Sequence, residues 1–285
     1  MPHLRAAEWI NILTFACLTL LAWGRRDLNG ARRVKITAIG AGGLAITLFA
    51  ALVLPRWASP VAASVARDWI LYLLLLMVYR QGGYFVTHAD GAFEQRLEWL
   101  DRRLVAGPLE WCARHRAGRW LLGYLELAYM LCYVSMPTGL AVLYLLGQRS
   151  AAGHFWTVVL LATYASYGTL PFLQTRPPRM LGEKWGASRP AGKLRAFNLW
   201  ILRHASIHAN TFPSAHVASS TACALVLLGY GPIWLGIGFL WIAFSIALGA
   251  VAGRYHYAAD AILGALVALV ALLVENALTV YGWAG

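Results

Sequence analysis

Residues 213–280 read PSAHVASSTACALVLLGYGPIWLGIGFLWIAFSIALGAVAGRYHYAADAILGALVALVALLVENALTV. Three apolar runs, 213–230, 233–251 and 257–280, follow one another with only a few residues between them. Each approaches the roughly 20 residues that a helix needs to cross the hydrocarbon core of a bilayer. In such an up-and-down succession the start of the first helix, the end of the second and the start of the third lie at one level. That is where the chemically capable residues stand: Ser214 and His216 at the first point, then Arg254, His256 and Asp260.

Upstream, five further runs have the same character: 9–23, 36–54, 69–79, 121–146 and 154–173. The third is the shortest and spans only if its charged start, Arg67 and Asp68, also enters the membrane. Composition agrees, with 60% of the 285 residues apolar and 13% charged. A mean hydropathy of +0.58 is beyond what a soluble domain can hide from water. The expected fold is all-α, a polytopic transmembrane bundle of seven to eight spanning helices with the last five forming a catalytic core.

The first run is followed by Arg25 and Arg26 and by no small-residue cleavage site, so it reads as an uncleaved first helix. Cys17, Cys112, Cys132 and Cys223 are scattered without Cys-x-x-Cys spacing, which indicates neither a disulfide framework nor a zinc site. The formal net charge of +12 sits in short loops between apolar helices. Anionic headgroups and phosphate-bearing lipids are the partners this implies, with no nucleic acid.

Three loops carry most of that charge. Residues 24–35 hold Arg25, Arg26, Arg32, Arg33 and Lys35 against Asp27. Within 80–119, Phe93, Leu97, Leu100 and Leu104 recur at helical spacing, with Glu94, Glu98, Asp101 and Arg102 opposite, so this stretch reads as an amphipathic helix lying flat in the interface or as an ordinary helical hairpin. Residues 174–212 carry Arg176, Arg179, Lys184, Arg189, Lys193, Arg195 and Arg203 against Glu183. The chain divides into 1–119, amino-terminal membrane helices plus the amphipathic helix, and 120–285, the catalytic membrane core, in one integral domain.

Three clusters carry chemistry. In Gln174-Thr-Arg176-Pro-Pro-Arg179, two guanidiniums held apart by a proline pair suit a tetrahedral dianion, since each fork can donate two charge-assisted bonds; topology anchoring is the plainer role for such residues. In Thr211-Phe-Pro-Ser214-Ala-His216, Pro213 fits the first helical position, and the amides after it, the Ser214 hydroxyl and His216 face an anion beyond the helix end. In Arg254-Tyr-His256-Tyr-Ala-Ala-Asp260, His256 and Asp260 share a face if the segment is helical, so the carboxylate fixes the imidazole tautomer and leaves the other nitrogen as a nucleophile.

Together the clusters resemble the type-2 phosphatidic acid phosphatase superfamily, with its Arg-Pro segment, Pro-Ser-Gly-His and Ser-Arg-x5-His-x3-Asp motifs. The resemblance covers residues 174–260, and its second and third motifs are the specific ones. It implies that His256 attacks phosphorus with help from Asp260, that His216 protonates the leaving group, and that arginines bind the phosphate. Thr169 stands where the first motif has lysine, Ala215 replaces the motif glycine, and Ala250 replaces the arginine six before the nucleophile. Arg254, four residues later, shares a helix face with Ala250 if the helix continues. These departures look like the inositolphosphotransferase branch, which includes inositol phosphorylceramide synthases, and they raise transfer to a lipid alcohol as a rival to hydrolysis.

The expected activity is therefore that of a lipid phosphatase acting on a lipid phosphate or polyprenyl diphosphate, or of a phosphotransferase with a lipid alcohol acceptor, with no cofactor and no metal. A transporter lined by Glu126, Arg67 and Asp68 is the rival from another class. His204 and His208 lack a third ligand at suitable spacing. Glu126 is a functional candidate or a partner of Arg119, His154 reads as a solvated helix-end histidine, and Glu275 as approaching the far interface. The cell (inner) membrane is expected; charge bias favours a cytoplasmic site, whereas the resemblance implies the extracytoplasmic face adopted here.

Overall fold

In a computed structural model the described residues are 3–181 and 192–280, and among them there are helices and turns but no strand. Glu183, Lys184 and Arg189 of the third basic loop lie outside the described residues. An amino-terminal triplet consists of α1 (Ala6–Gly24), α2 (Gly30–Leu48) and α3 (Pro60–Gly83). A π-helical turn, Phe49–Val53, prolongs α2. Then come α4 (Gly91–Leu104), α5 (Ala106–Arg114), α6 (Arg116–Met130) and α7 (Ser135–Leu145). The rest of the bundle is α8 (Ala152–Tyr167), α9 (Lys193–Ala205), α10 (Ala215–Tyr230), α11 (Ile233–Ala252) and α12 (Ala258–Val280).

Five helices, α1, α2 with its extension, α3, α11 and α12, are long and apolar enough to cross a membrane, and α6 with α7 makes a sixth span bent by 67°. The two remaining runs form α8 and α10, of 16 residues each, buried along most of their length. Helices walled in by other helices contribute to the core and leave the lipid-facing length to their neighbours. Those neighbours turn large apolar side chains outward, among them Leu20, Trp241, Leu266 and Leu273, as a bilayer solvent permits. The chain is a multi-pass membrane bundle of helices.

Contacts between helix ends sort the bundle into two levels. At one level Arg25, after α1, donates to the carbonyl of Pro171, after α8, and Arg32 of α2 donates to the carbonyls of Tyr84 and Val86, after α3. The Gln174 side chain ties down Phe85, Thr87 and His88, and Thr175 pairs with Asn210, just before α10. At the other level Arg5 meets Asp68, Arg149 donates to the carbonyl of Val61, and His154 meets Glu275. Every apolar run therefore passes from one level to the other, and the described residues of all three basic loops gather at the level of His256.

The charged start of the third run lies inside α3, so this helix has 24 residues. Arg67 is clamped by Glu8 of α1 at 2.6 Å, and Asp68 accepts from Arg5 and from the Tyr144 hydroxyl. Paired in this way, Arg67 and Asp68 do not line a path as a transporter reading required. His154 and Glu275, read as solvated and interfacial, face each other at 2.5 Å with Glu275 buried. A buried carboxylate is kept where a partner meets it, because removing that partner leaves it uncompensated.

The run 121–146 is not one straight helix. Pro137, in the first turn of α7, has no N–H to donate and its ring crowds the carbonyl four residues earlier. That carbonyl belongs to Tyr133, and in the structure it accepts from the Tyr72 hydroxyl of α3 at 2.7 Å. The resulting break, Leu131–Tyr133, swings Tyr129 and Tyr133 toward His216.

Helix α4 differs from the amphipathic reading in which face it buries. Leu97 is buried, but so are Glu94, Glu98 and Asp101, while Leu104 and Trp99 are exposed. The acids turn inward because they have partners there: Asp101 accepts the Ala258 N–H at 2.9 Å and so caps α12, and Glu94 holds Arg176. Burial pushes the Asp101 pKa up to about 7 against the opposing effect of that N–H.

Candidate active site

Two helix starts and one helix end build the site. At α10 the sequence reading put Pro213 at the first helical position, but the helix begins at Ala215 and Ser214 is its cap, accepting the Val217 N–H at 3.4 Å. Thr211 Oγ1 accepts the Ala215 N–H at 3.2 Å. Serine is the better cap because its short hydroxyl reaches the orphan amides of the first turn. The Ser214 N–H donates to the carbonyl of Asp260 at 3.0 Å, which locks the start of α10 to that of α12. Gly264 permits this approach, since a Cβ there would lie 2.6 Å from the Ser214 carbonyl oxygen.

Helix α11 stops at Ala252, so Arg254 does not continue the face of Ala250. Instead Arg254 adopts φ +58°, and the N–H groups of Tyr255 and His256 both return to the Ala250 carbonyl, at 2.8 and 3.1 Å. A left-handed conformation at a non-glycine residue persists only where its surroundings hold it. Here the Arg179 N–H donates to the Arg254 carbonyl at 3.0 Å and Arg254 Nη2 donates to the Pro178 carbonyl at 3.0 Å. Arg254 thus joins the Arg-Pro-Pro-Arg segment to the turn that presents His256.

His256 lies just before α12, with Nδ1 3.3 Å from Oδ2 of Asp260 in its first turn. Oδ2 also accepts the Tyr257 N–H at 3.0 Å and the Asn210 amide at 2.7 Å. With Nδ1 engaged, Nε2 is the nitrogen left for chemistry. Burial, and then the Arg179 guanidinium, hold the His256 pKa below the ordinary imidazole range, which favours the neutral, nucleophilic form. The His216 ring stands edge-on to it, centroids 5.8 Å apart, and Tyr129 and Tyr133 flank His216 at the same distance.

Arg179, His216 and His256 line one small cavity with Tyr129, Tyr255 and Thr211. The Arg179 guanidinium lies 5.7 Å over the Tyr255 ring, and burial lowers its pKa from a very high ordinary value. Of the two arginines expected to clamp an anion together, the structure brings in Arg179 alone. Arg176 turns to α4, where Glu94 takes its Nη2 at 2.7 Å and its backbone N–H at 2.6 Å. The Pro178–Met180 turn between the two arginines separates their directions.

Glu126 pairs not with Arg119 but with α9 and the His256 turn. It accepts from Asn198 Nδ2 at 3.1 Å and from the Tyr255 hydroxyl, with Arg195 at 3.6 Å. Tyr255 in turn stacks on Tyr129 at 4.2 Å. Two members of the site escaped sequence reading: Asn210, which touches the Asp260 carboxylate, and Tyr129. Asn210 offered only its place three residues before Pro213 as a signal. Removing its amide costs two buried hydrogen bonds, to Asp260 Oδ2 and to Thr175 Oγ1, so Asn210→Ala is expected to lower kcat roughly tenfold to a hundredfold with little change in KM. Steady-state rates on a lipid phosphate check this.

An imidazole oriented by a carboxylate, a second imidazole and a buried guanidinium, all at one end of a membrane bundle, can accept a phosphoryl group, protonate a leaving oxygen and neutralise a phosphate. Such a set suits a membrane enzyme of phosphoryl-transfer type. The sequence profile of the PAP2 superfamily matches residues 95–274, and the chain belongs to that superfamily. Its members are phosphatases or phosphotransferases, which makes this protein an enzyme of that kind. No curated protein and no solved structure matches the chain.

Proposed function

We propose that the protein hydrolyses a lipid phosphate or polyprenyl diphosphate through a phosphohistidine on His256. Nε2 attacks phosphorus in line, the phosphorus–oxygen bond to the lipid breaks, and its electron pair leaves on the lipid oxygen, which takes a proton from His216. Water, deprotonated by His216, then attacks phosphorus and cleaves the phosphorus–nitrogen bond, releasing phosphate. Arg179 stabilises the charge on the equatorial oxygens, while Arg176, Arg254 and Ser214, read in the sequence as phosphate-binding, brace α4, the Pro178 carbonyl and the start of α10 around it. The observation that carries this reading is the Nδ1 to Oδ2 contact of His256 and Asp260 beside Arg179 and His216.

Transfer to a lipid alcohol, as in the inositolphosphotransferase branch, is the second reading. It is favoured by an apolar cleft of about 220 Å³ that reaches His216 between α3, α9 and α10 and has room for an acceptor chain. In the division of labour proposed, residues 120–285 perform the chemistry and 1–119 form the added membrane unit.

Metal independence belongs to this proposal, because arginine supplies the positive charge and among the described residues no three His, Cys, Asp or Glu side chains converge on a metal site. Phosphate release by purified protein should survive chelator and be inhibited by vanadate, which adopts the trigonal-bipyramidal geometry of the transferring phosphoryl group. Loss in chelator with recovery on adding magnesium or zinc overturns it.

The catalytic level is proposed to face the extracytoplasmic side of the cell membrane. Its basic residues are poor topological markers, since Arg25, Arg32, Arg176 and Arg195 are spent on carbonyls and carboxylates within the fold. In intact cells an impermeant thiol reagent should label Asn29→Cys and Lys193→Cys and spare Ser150→Cys at the other level, in a chain freed of its native cysteines. The reverse pattern places the site in the cytoplasm.

A further inference from the structure

Arg32 and Lys35 of α2 and Arg80 near the end of α3 gather, with His208, around a second pocket of about 510 Å³ at the catalytic level. Among the described residues no acidic side chain lines it and none of the three cations makes an ion pair. Each is oriented without being neutralised. Arg32 donates to the carbonyls of Tyr84 and Val86, Lys35 Nζ lies 5.4 Å over the Tyr84 ring, and the Arg80 guanidinium lies 6.0 Å over the Tyr79 ring.

Basic residues near a span end commonly do no more than anchor it. Here they form the wall of a cavity whose opposite wall is fixed. Ile207 is pressed on α3 so closely that a Cβ on Gly83 would lie 2.4 Å from its Cγ2, and its N–H donates to the Tyr79 hydroxyl at 3.0 Å. His208 beside it holds φ +56°. Arg80 also lines the apolar cleft that reaches His216, along with Leu76, Met136 and Ile201. A concentrated positive charge next to an apolar groove at the membrane surface matches a ligand with a phosphate at one end and hydrocarbon at the other.

We propose that this pocket binds the headgroup phosphate of an anionic bilayer phospholipid, separately from the phosphate that reacts at His256. Both walls that supply cations belong to helices preceding the PAP2-matched segment, so the added triplet brings a lipid site to the enzyme. Ile207 and His208 stand just before Asn210, whose amide holds Asp260. A lipid seated there braces the segment that orients the catalytic carboxylate, a consequence that rests on the function proposed above.

The test uses the full chain in nanodiscs of phosphatidylcholine with stepped fractions of phosphatidylglycerol, reading retained lipids by native mass spectrometry. The wild type should retain phosphatidylglycerol in preference to phosphatidylcholine. Lys35→Gln with Arg80→Gln should weaken that preference about tenfold or more, since each cation near the surface adds to the attraction for an anionic lipid. Arg32→Gln, which also frees two carbonyls, is read only beside this milder pair. Unchanged retention in the Lys35→Gln, Arg80→Gln protein overturns the proposal, and so does inorganic phosphate binding at the same cations with no lipid preference. Binding is read without turnover, so an enzyme inactive on every phosphate ester sinks the proposed function and leaves the lipid result standing. In an active enzyme phosphatidylglycerol should raise kcat in the wild type and not in the variant, and a flat response removes the link to Asn210.

Discussion

His256→Ala is expected to abolish turnover, with a loss of at least about four orders of magnitude, on a lipid phosphate and on an activated aryl phosphate alike. No other imidazole can stand in, since His216 occupies the first turn of α10 and, among the described residues, has no carboxylate against its ring. Folding should suffer little. His256 is buried, but its backbone N–H, which closes the turn to Ala250, remains after the change. Asp260 is a less clean target, because it receives Asn210 and Tyr257 together, and its loss strips the Tyr257 N–H of its acceptor and leaves Asn210 Nδ2 with Thr175 alone. Asp260→Asn keeps the volume and separates orientation from packing. Activity and helicity measured on the same detergent-purified samples check this, and a fully active His256→Ala protein ends the phosphohistidine reading.

How the site could be read in advance differs from residue to residue. The spans announced themselves, because hydrocarbon demands long apolar runs whatever else the chain does. His256 and Asp260 were legible through their four-residue spacing, although the reason was imperfect: His256 precedes the helix, and the pair meets because Asp260 sits in the first turn and reaches back. Arg176 and Arg179 looked equivalent in sequence, and only the short turn between them and the presence of Glu94 on α4 give them different work. Arg254 would share the face of Ala250 only if the helix continued; its left-handed φ depends on bonds to Pro178 and Arg179 in a distant segment. Asn210 and Tyr129 were invisible because their partners, Asp260 and Tyr255, are far along the chain. Local spacing reveals what lies on one helix and is silent on what two helices share.

Charges inside the bundle teach the same point. Arg67, Asp68 and Glu126 looked like a transport path when taken one at a time. In the fold Glu8 holds Arg67, Arg5 and Tyr144 hold Asp68, and Glu126 reaches Tyr255 and Asn198. The first two sets join α1 to α3 at the level away from the site. The third supports the Tyr255 ring over which Arg179 lies, so a carboxylate that never touches the cavity still bears on where the guanidinium proposed to bind phosphate rests.

His216→Ala is expected to behave differently from the nucleophile variant, and the difference depends on the leaving group. A general acid contributes about a hundredfold to ten-thousandfold when the departing oxygen is strongly basic, and the benefit falls as that basicity falls. A lipid alkoxide is strongly basic, so His216→Ala should lose about that factor in kcat/KM on a lipid phosphate. A nitrophenolate departs readily without a proton, and on a nitrophenyl phosphate the first step should be nearly unaffected. The second step still needs a base for the attacking water, so the variant should accumulate an acid-labile phosphoprotein from the nitrophenyl substrate, with a burst of nitrophenolate in the first turnover. His256→Ala should show neither burst nor phosphoprotein. The ring geometry makes the division reasonable: His216 stands edge-on to His256 across a common cavity, within reach of an oxygen leaving opposite to Nε2. If the two variants lose the same factor on both substrates and neither traps an intermediate, the histidines bind phosphate together and the assignment of acid and nucleophile fails.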